Sequence, residues 1–326
     1  MSQGILVIVE HNNAKVNRIS IEAVTGAQKL AAATGQPVYA AVLANDCSAM
    51  TTELSSKKLD KIYAVANPEL ADYTPDGYTV ALAQLIERID PAYVIVGHSY
   101  QARDYVAKLA LRCGGALMSD CIAMNADGGN LTLTKQVFAG KFNADYSFSG
   151  EATCFISLQA AAYNADELES GSASVEDFAV NLNKSDIRTT VLEKFEGTKK
   201  DVDLAASDII VAVGRGLKEE ANLEIAEELA KALGGDIGAS RPVCDDGWVG
   251  ADRQVGSSGQ TVSPKLYLSL GISGAIQHVV GMKGSKYIVA INKDPHAPIF
   301  DIADVAVVGD LFEIVPKLTE AVKAAK

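Results

Sequence analysis

Aromatic side chains make up only 6% of the 326 residues, with a single tryptophan. Ala, Val, Gly and Ile are plentiful instead, which suits helices packed on a mostly parallel sheet better than a β-sandwich. Cysteine is sparse as well. The five thiols (Cys47, Cys113, Cys121, Cys154, Cys244) are odd in number, widely spaced and contain no C-x-x-C pair. Four scattered histidines add no zinc or cluster spacing, so no metal site is expected. Reduced thiols in a cytoplasmic compartment are the natural reading. Positive charge is also short: 29 Lys and Arg face 41 Asp and Glu, a net charge of −12. That argues against nucleic-acid binding and against an anionic membrane surface, and it suits solubility and steering toward a partner with a basic rim. No apolar run approaches the ~20 residues that span a bilayer. The first residues, MSQGILVIVEHNN, lack the basic start and small-residue cleavage site of a signal peptide. No membrane insertion is expected.

What is present is apolar material, 48% of the chain, over a length that allows two ordinary domains. Short β-branched runs alternate with amphipathic stretches in the first half. Residues 5–9, 38–43, 61–65 and 93–96 read as strands, and 19–34, 79–89 and 103–111 as helices. The period then changes: 131–138, 145–148 and 153–158 are strand-like with no room for helices between them, and 163–176 reads as an exposed loop. A polar run at 194–203 marks the expected boundary between domains 1–195 and 204–326. Beyond it the α/β pattern restarts, with strands at 208–213, 266–270, 287–291 and 305–308 and helices at 219–233, 275–280 and 312–325. The expected fold is α/β, two doubly wound and mainly parallel-sheet domains, in which ligands bind at the carboxyl ends of the strands.

Polar, glycine-rich segments sit at those ends in the second half. Gly214-Arg215-Gly216 follows a strand but is not G-x-G-x-x-G, so as a phosphate signal it is weak. Arg215 strengthens it, because an Arg between two glycines reaches a phosphate without obstruction from its own backbone. Leu270-Gly271-Ile272-Ser273-Gly274 turns from strand into the helix that begins Ala275-Ile276-Gln277-His278. There Ser273 reads as an N-cap, as a hydroxyl donor to a diphosphate, or as both, near free backbone N–H groups. The long connection 234–264 carries Ser240-Arg241 and Gln254-Val255-Gly256-Ser257-Ser258-Gly259. Asn292 and Asp310 follow the last two strands. A lone His278 is more often structural than functional, yet beside a flavin it would stabilise charge on the reduced ring. No nucleophile–base pair stands out.

Together these segments resemble the electron transfer flavoprotein α subunit family. The resemblance rests on L-Y-L-S-L-G-I-S-G-A-I-Q-H at 266–278, Gly281, I-V-A-I-N-K-D-P at 288–295, G-R-G-L at 214–217, G-A-S-R at 238–241 and D-L-F at 310–312. It covers the second half in order and spacing and is looser in the first, where I-L-V-I-V-E-H at 5–11 carries it. The resemblance implies a heterodimer with a β subunit, one FAD held mainly by the C-terminal domain, and a donor flavin dehydrogenase such as an acyl-CoA dehydrogenase. Arg215, Ser240, Ser273 and Asn292 would hold the diphosphate and ribityl region, with Asp310 and Leu311 toward the adenosine end. Gln277 and His278 would lie near the ribityl chain and the C2 carbonyl, and Gly274, Ala275 and Ile276 would complete that turn. Arg241 would lie over the ring, where a fixed positive charge favours the anionic semiquinone and raises the reduction potential. Gln254, Val255, Gly256, Ser257 and Ser258 match the family's Q-V-G-Q-T-G loop with one departure: Ser258 keeps the hydroxyl offered to flavin N5 but lacks the methyl that fixes its rotamer, and Ser257 replaces a longer side chain.

Two alternatives remain at this point. One is the α subunit of a bifurcating complex that oxidises NADH. The other is a nucleotide-binding module without a redox role. A free-standing NAD(P) dehydrogenase is poorly supported, because no full dinucleotide fingerprint is present.

Overall fold

The computed structural model describes residues 3–127, 130–138, 140–150, 152–192 and 204–325. Two compact units, Met1–Phe195 and Glu196–Lys326, divide the chain. The polar run 194–203 lies outside the described residues.

The first unit is built on strands β1 (Ile5–Val9), β2 (Val38–Ala44), β3 (Lys61–Ala66), β4 (Tyr93–Gly97), β5 (Ala116–Asp127), β6 (Asn130–Val137), β7 (Phe142–Ser147), β8 (Cys154–Leu158) and β9 (Ser174–Asp177). They form one sheet in the order β9-β3-β2-β1-β4-β8-β5-β6-β7. Every pair from β9 to β5 is parallel, and the β5-β6-β7 extension is antiparallel. Helices α1 (Arg18–Thr34), α2 (Ser48–Ser55), α3 (Pro75–Ile89) and α4 (Tyr100–Arg112) supply the crossovers. Strand alternation sends Ile5, Val7 and Val9 into a core with Ala23, Val24 and Leu30 of α1. Leu6 and Ile8 face the opposite way, toward Leu82 and Leu85 of α3 and Leu109 of α4. The sheet is thus covered on both faces, and its central strands read as continuous apolar runs.

Helix limits follow local chemistry. Gly35 ends α1 in the left-handed conformation, at φ 70°. Thr74 and Ser99 accept hydrogen bonds from Gly77 N and Ala102 N at the starts of α3 and α4. Both helices therefore begin three or four residues earlier than apolar periodicity alone suggests.

The segment 163–176 is not simply an exposed loop. Its end forms edge strand β9, parallel to β3, and the Tyr163 hydroxyl accepts a hydrogen bond from Met124 N at 2.9 Å. Long β5 also escapes pattern reading, because ALMSDCIAMNAD contains one β-branched residue. Pairing with β8 on one side and β6 on the other holds it extended.

The second unit is a five-stranded sheet, all parallel: β10 (Ile209–Val213), β11 (Asp236–Ala239), β12 (Leu266–Leu270), β13 (Tyr287–Asn292) and β14 (Val305–Val308). Its order is β11-β10-β12-β13-β14. The chain steps outward from β10 to β11, then returns past β10 to β12, so the topological switch point lies between β10 and β12. Helices α5 (Leu223–Leu233) and α8 (Leu311–Ala324) cover one face, with short α6 (Arg241–Asp245) and α7 (Ile276–Val279) beside the strand ends. Helix α5 starts at Leu223, later than its amphipathic pattern suggests. A 3₁₀ turn over Arg215–Leu217 and Lys218 at φ 71° take up the intervening chain. The connection 234–264 contains β11 and α6, so it is not a single irregular loop.

Candidate functional site

Because the five strands of the second unit are parallel, their carboxyl ends share one edge. A cavity of about 540 Å³ opens there, at the switch point. That volume falls within the ~300–1,000 Å³ range of small-molecule sites. Gly214 and Arg215 line it after β10, Ser240, Arg241 and Pro242 after β11, and Gly271, Ile272 and Ser273 after β12. Gln254 to Ser258 form another wall, and Ala275, Gln277 and His278 close it.

Glycine is required where these turns meet. The Gly216 N–H donates to the Gly271 carbonyl at 3.1 Å, and the Gly214 N–H to the Leu270 carbonyl at 2.9 Å. A Cβ on Gly216 would lie 2.6 Å from Gly271 Cα, a backbone clash. The 254–260 loop is fastened in the same way: Val255 N donates to Ala239 O at 2.9 Å, and Ser257 N to Gln277 O at 2.7 Å. The walls are therefore hydrogen-bonded to the sheet and to one another, which preorganises the cavity.

Two arginines and no carboxylate occur among the described lining residues, although the whole chain carries a net charge of −12. Arg215 and Arg241 are both exposed. Arg241 also pairs with Asp245 one turn along α6, Nε to Oδ2 3.3 Å. Local positive charge on an acidic protein suits an anionic ligand such as a diphosphate. Ser240, Ser257, Ser258 and Ser273 add hydroxyl groups, and the Ser258 hydroxyl accepts from Gln254 Nε2 at 2.9 Å.

His278 is 6% exposed, and its Nε2 lies 2.9 Å from the hydroxyl of Tyr267. Burial pushes its pKa down to about 4, and the Val255 backbone partly offsets this. Among the described residues, the buried Nδ1 has no hydrogen-bond partner. The buried Ser269 hydroxyl on β12 also lacks one. Unpaired buried polar atoms are uncommon, and of these two residues only His278 lines the cavity.

The structure brings most of the sequence-derived residues to this cavity and leaves five out of its lining. Asn292 braces it from behind, donating from Nδ2 to Ile272 O at 2.9 Å. Gly274, at φ 88°, packs against the Ile299 backbone, and Ile276 is exposed on α7. Asp310 caps α8 by accepting from Phe312 N at 2.9 Å. The Leu311 side chain is buried in the core. Ser273 is not an N-cap: Ala275 holds that place on α7, without a side-chain cap. Pattern reading passed over Gly214, Pro242, Gly271 and Ile272 as lining residues. The signal for the two glycines was their place directly after strands.

The switch point of the first unit is built differently. There the Glu10 carboxylate, directly after β1, accepts from Asn17 Nδ2 at 2.9 Å and from the Ser99 hydroxyl. Nearby His98 Nδ1 lies 2.8 Å from the Ser157 hydroxyl, with Asp120 4.0 Å from Nε2. Ser157 is fully buried and accepts from Asp120 N, which makes this cluster a brace and not a nucleophile.

Comparison with known proteins agrees with this geometry. A model of the electron transfer flavoprotein domain matches residues 5–183, and one of the electron transfer flavoprotein FAD-binding domain matches residues 203–283. The electron transfer flavoprotein subunits alpha of Thermoanaerobacterium thermosaccharolyticum and Bacillus subtilis are each 38% identical to the chain. The first alignment covers 99% of both chains, the second 99% of this chain and 98% of its relative. The LctC subunit of an Acetobacterium woodii lactate dehydrogenase (NAD(+),ferredoxin) is 34% identical over 97% of this chain and 76% of its own length. With matches that run through both units and include the strand-end segments lining the cavity, the chain belongs to the electron transfer flavoprotein α subunit family.

Proposed function

We propose that the switch-point cavity of the second unit holds FAD, and that the chain works as an electron carrier in a heterodimer with an electron transfer flavoprotein β subunit. The observation that carries this reading is the two-arginine, carboxylate-free cavity built from the segments that match the FAD-binding family. Bound there, FAD supplies the redox chemistry. The chain's own residues bind, orient and tune.

Arg215 and the hydroxyl groups of Ser240 and Ser273 offer charge and donors for the diphosphate. Asn292 keeps the Ser273 turn in place through Ile272 O. The Ser258 hydroxyl, already accepting from Gln254, has its own proton free to donate to the ring. Arg241 supplies fixed positive charge that favours added electrons. The low pKa of His278 makes it a neutral imidazole at pH 7, a dipole and not a second cation. Electrons then arrive from a flavin dehydrogenase and leave to a quinone-linked or other acceptor. A cytoplasmic location accompanies this reading. No helix among the described residues is long and apolar enough to cross a membrane.

The test is the visible spectrum of the purified heterodimer with chromatography of its released nucleotides. Flavin bands with one FAD and one AMP per heterodimer support the simple carrier. A colourless complex refutes the reading and favours a nucleotide-binding module. The likeness to LctC supports a second reading, a bifurcating complex that oxidises NADH. Two FAD per heterodimer would select it.

A further inference from the structure

Tyr267 lies outside the cavity lining, and the preceding reading gives it no task. Tyr267 sits on central strand β12 and is fully buried. Its surroundings are apolar, among them Ile210, Ala212, Val262, Met282 and Ile288. Its hydroxyl lies 2.9 Å from His278 Nε2. His278 itself lines the cavity, with Nδ1 buried and unpaired beside the Val255 backbone.

We infer that Tyr267 is a positioning residue for the flavin cavity: its phenol donates to His278 Nε2, so the imidazole proton stays on Nδ1 and the ring serves as a neutral donor in the wall. Proton accounting supports the direction. Burial raises the Tyr267 phenol pKa well above its ordinary value and lowers that of His278, so neither group ionises near neutral pH. Two neutral groups share one proton in this contact. If Nε2–H donated to the phenol oxygen, the phenol proton would be left among apolar side chains with no acceptor beside it. If the phenol donates, its proton is satisfied. The remaining imidazole proton on Nδ1 then has the Val255 backbone beside it, a contact that raises the His278 pKa as an acceptor would, whereas the phenol proton would meet only apolar side chains. Which nitrogen of a histidine carries the proton is set by what the other nitrogen accepts. A strand residue outside the lining thereby sets which nitrogen of a lining residue carries the proton.

The inference rests on the flavin reading, and its test separates the two. Histidine is labelled with ¹⁵N in the purified α–β complex, and long-range ¹H–¹⁵N correlation reads the tautomer of each ring. The chain has only four histidines, and a His278→Gln variant identifies the signal. Nδ1-protonated His278 is expected in the native complex, with a mixture of tautomers in Tyr267→Phe. The flavin of Tyr267→Phe is expected to remain bound, with shifted absorption bands and midpoint potential. Nε2-protonated His278 in the native complex overturns the inference even if the variant fails to fold. An unchanged tautomer in a folded Tyr267→Phe complex overturns it as well. A colourless native complex refutes the flavin reading instead, because the tautomer is read without reference to the flavin.

Discussion

Gly214 and Gly271 meet backbone to backbone, so closely that a Cβ on Gly214 would fall against the Gly271 carbonyl oxygen, with the carbonyl carbon 2.8 Å away. These residues end the two strands on either side of the switch point, and both line the cavity. Their contact sets how near the two turns lie. Gly214→Ala would force the turns apart because no flexible side chain is available to yield. Overpacking of this kind costs about 1–3 kcal/mol. Thermal unfolding should show a lower midpoint, and the flavin-to-protein absorbance ratio should fall. A variant with native flavin content would remove the contact from its role.

Arg241 is held at the rim by Asp245 and not buried, which suits tuning better than tight binding. Arg241→Ala should keep part of its flavin and lower the midpoint potential by tens of millivolts, the equivalent of about 1–2 kcal/mol for a partly exposed charge. Spectroelectrochemical titration reads this directly. An unchanged potential would assign the ring charge elsewhere.

Ser258 accepts from Gln254 Nε2, which orients the hydroxyl although serine lacks the methyl of threonine. Ser258→Thr should therefore change the visible bands and potential only slightly, while Ser258→Ala should change both clearly. Equal shifts in the two variants would show that the hydroxyl has no contact with the ring.

In the first unit, Asp76 ties segment 184–188 to α3 and α4. It accepts from the Arg188 backbone and guanidinium at 3.0 to 3.2 Å and from Lys108 Nζ. Arg188 and Lys108, in that order, hold its carboxyl well below the ordinary carboxylate range. A depressed pKa contributes stability above the unfolded value of about 4 and loses it as pH falls from there. Asp76 is 4% exposed, yet the side chains that cover it are themselves largely open to solvent. Asp76→Asn should accordingly cost only about 1–2 kcal/mol at pH 7, and the difference from the native chain should shrink as pH falls below 4. Urea unfolding at both pH values checks this. A gap that widens on acidification would contradict the assignment.

Strong periodicity made most of the fold legible. Central strands such as Ile5–Val9 and Leu266–Leu270 announce themselves as dense apolar runs because both of their faces are buried. The strands that pattern reading missed are ones whose extended form comes from neighbours. DIGA at 236–239 and ALMSDCIAMNAD at 116–127 have weak local preference and are held by ladders on one or both sides. Helix starts were misplaced for a related reason, since the caps at Thr74 and Ser99 are hydrogen bonds and carry no apolar signal.

The stretch from Arg241 to Asn292 was recognisable in sequence as a concentration of glycine and hydroxyl residues, and its order alone identified the family. Residue type and spacing sufficed for that, because a turn that must approach a ligand closely admits few side chains. Only the tertiary structure decided which of those residues face one space. It put Leu311 in the core, gave Asp310 to a helix cap and set Asn292 behind the wall. It also paired His278 with Tyr267, eleven residues earlier. That pairing depends on strand order and on which face of β12 is buried, and neither is expressed in local sequence.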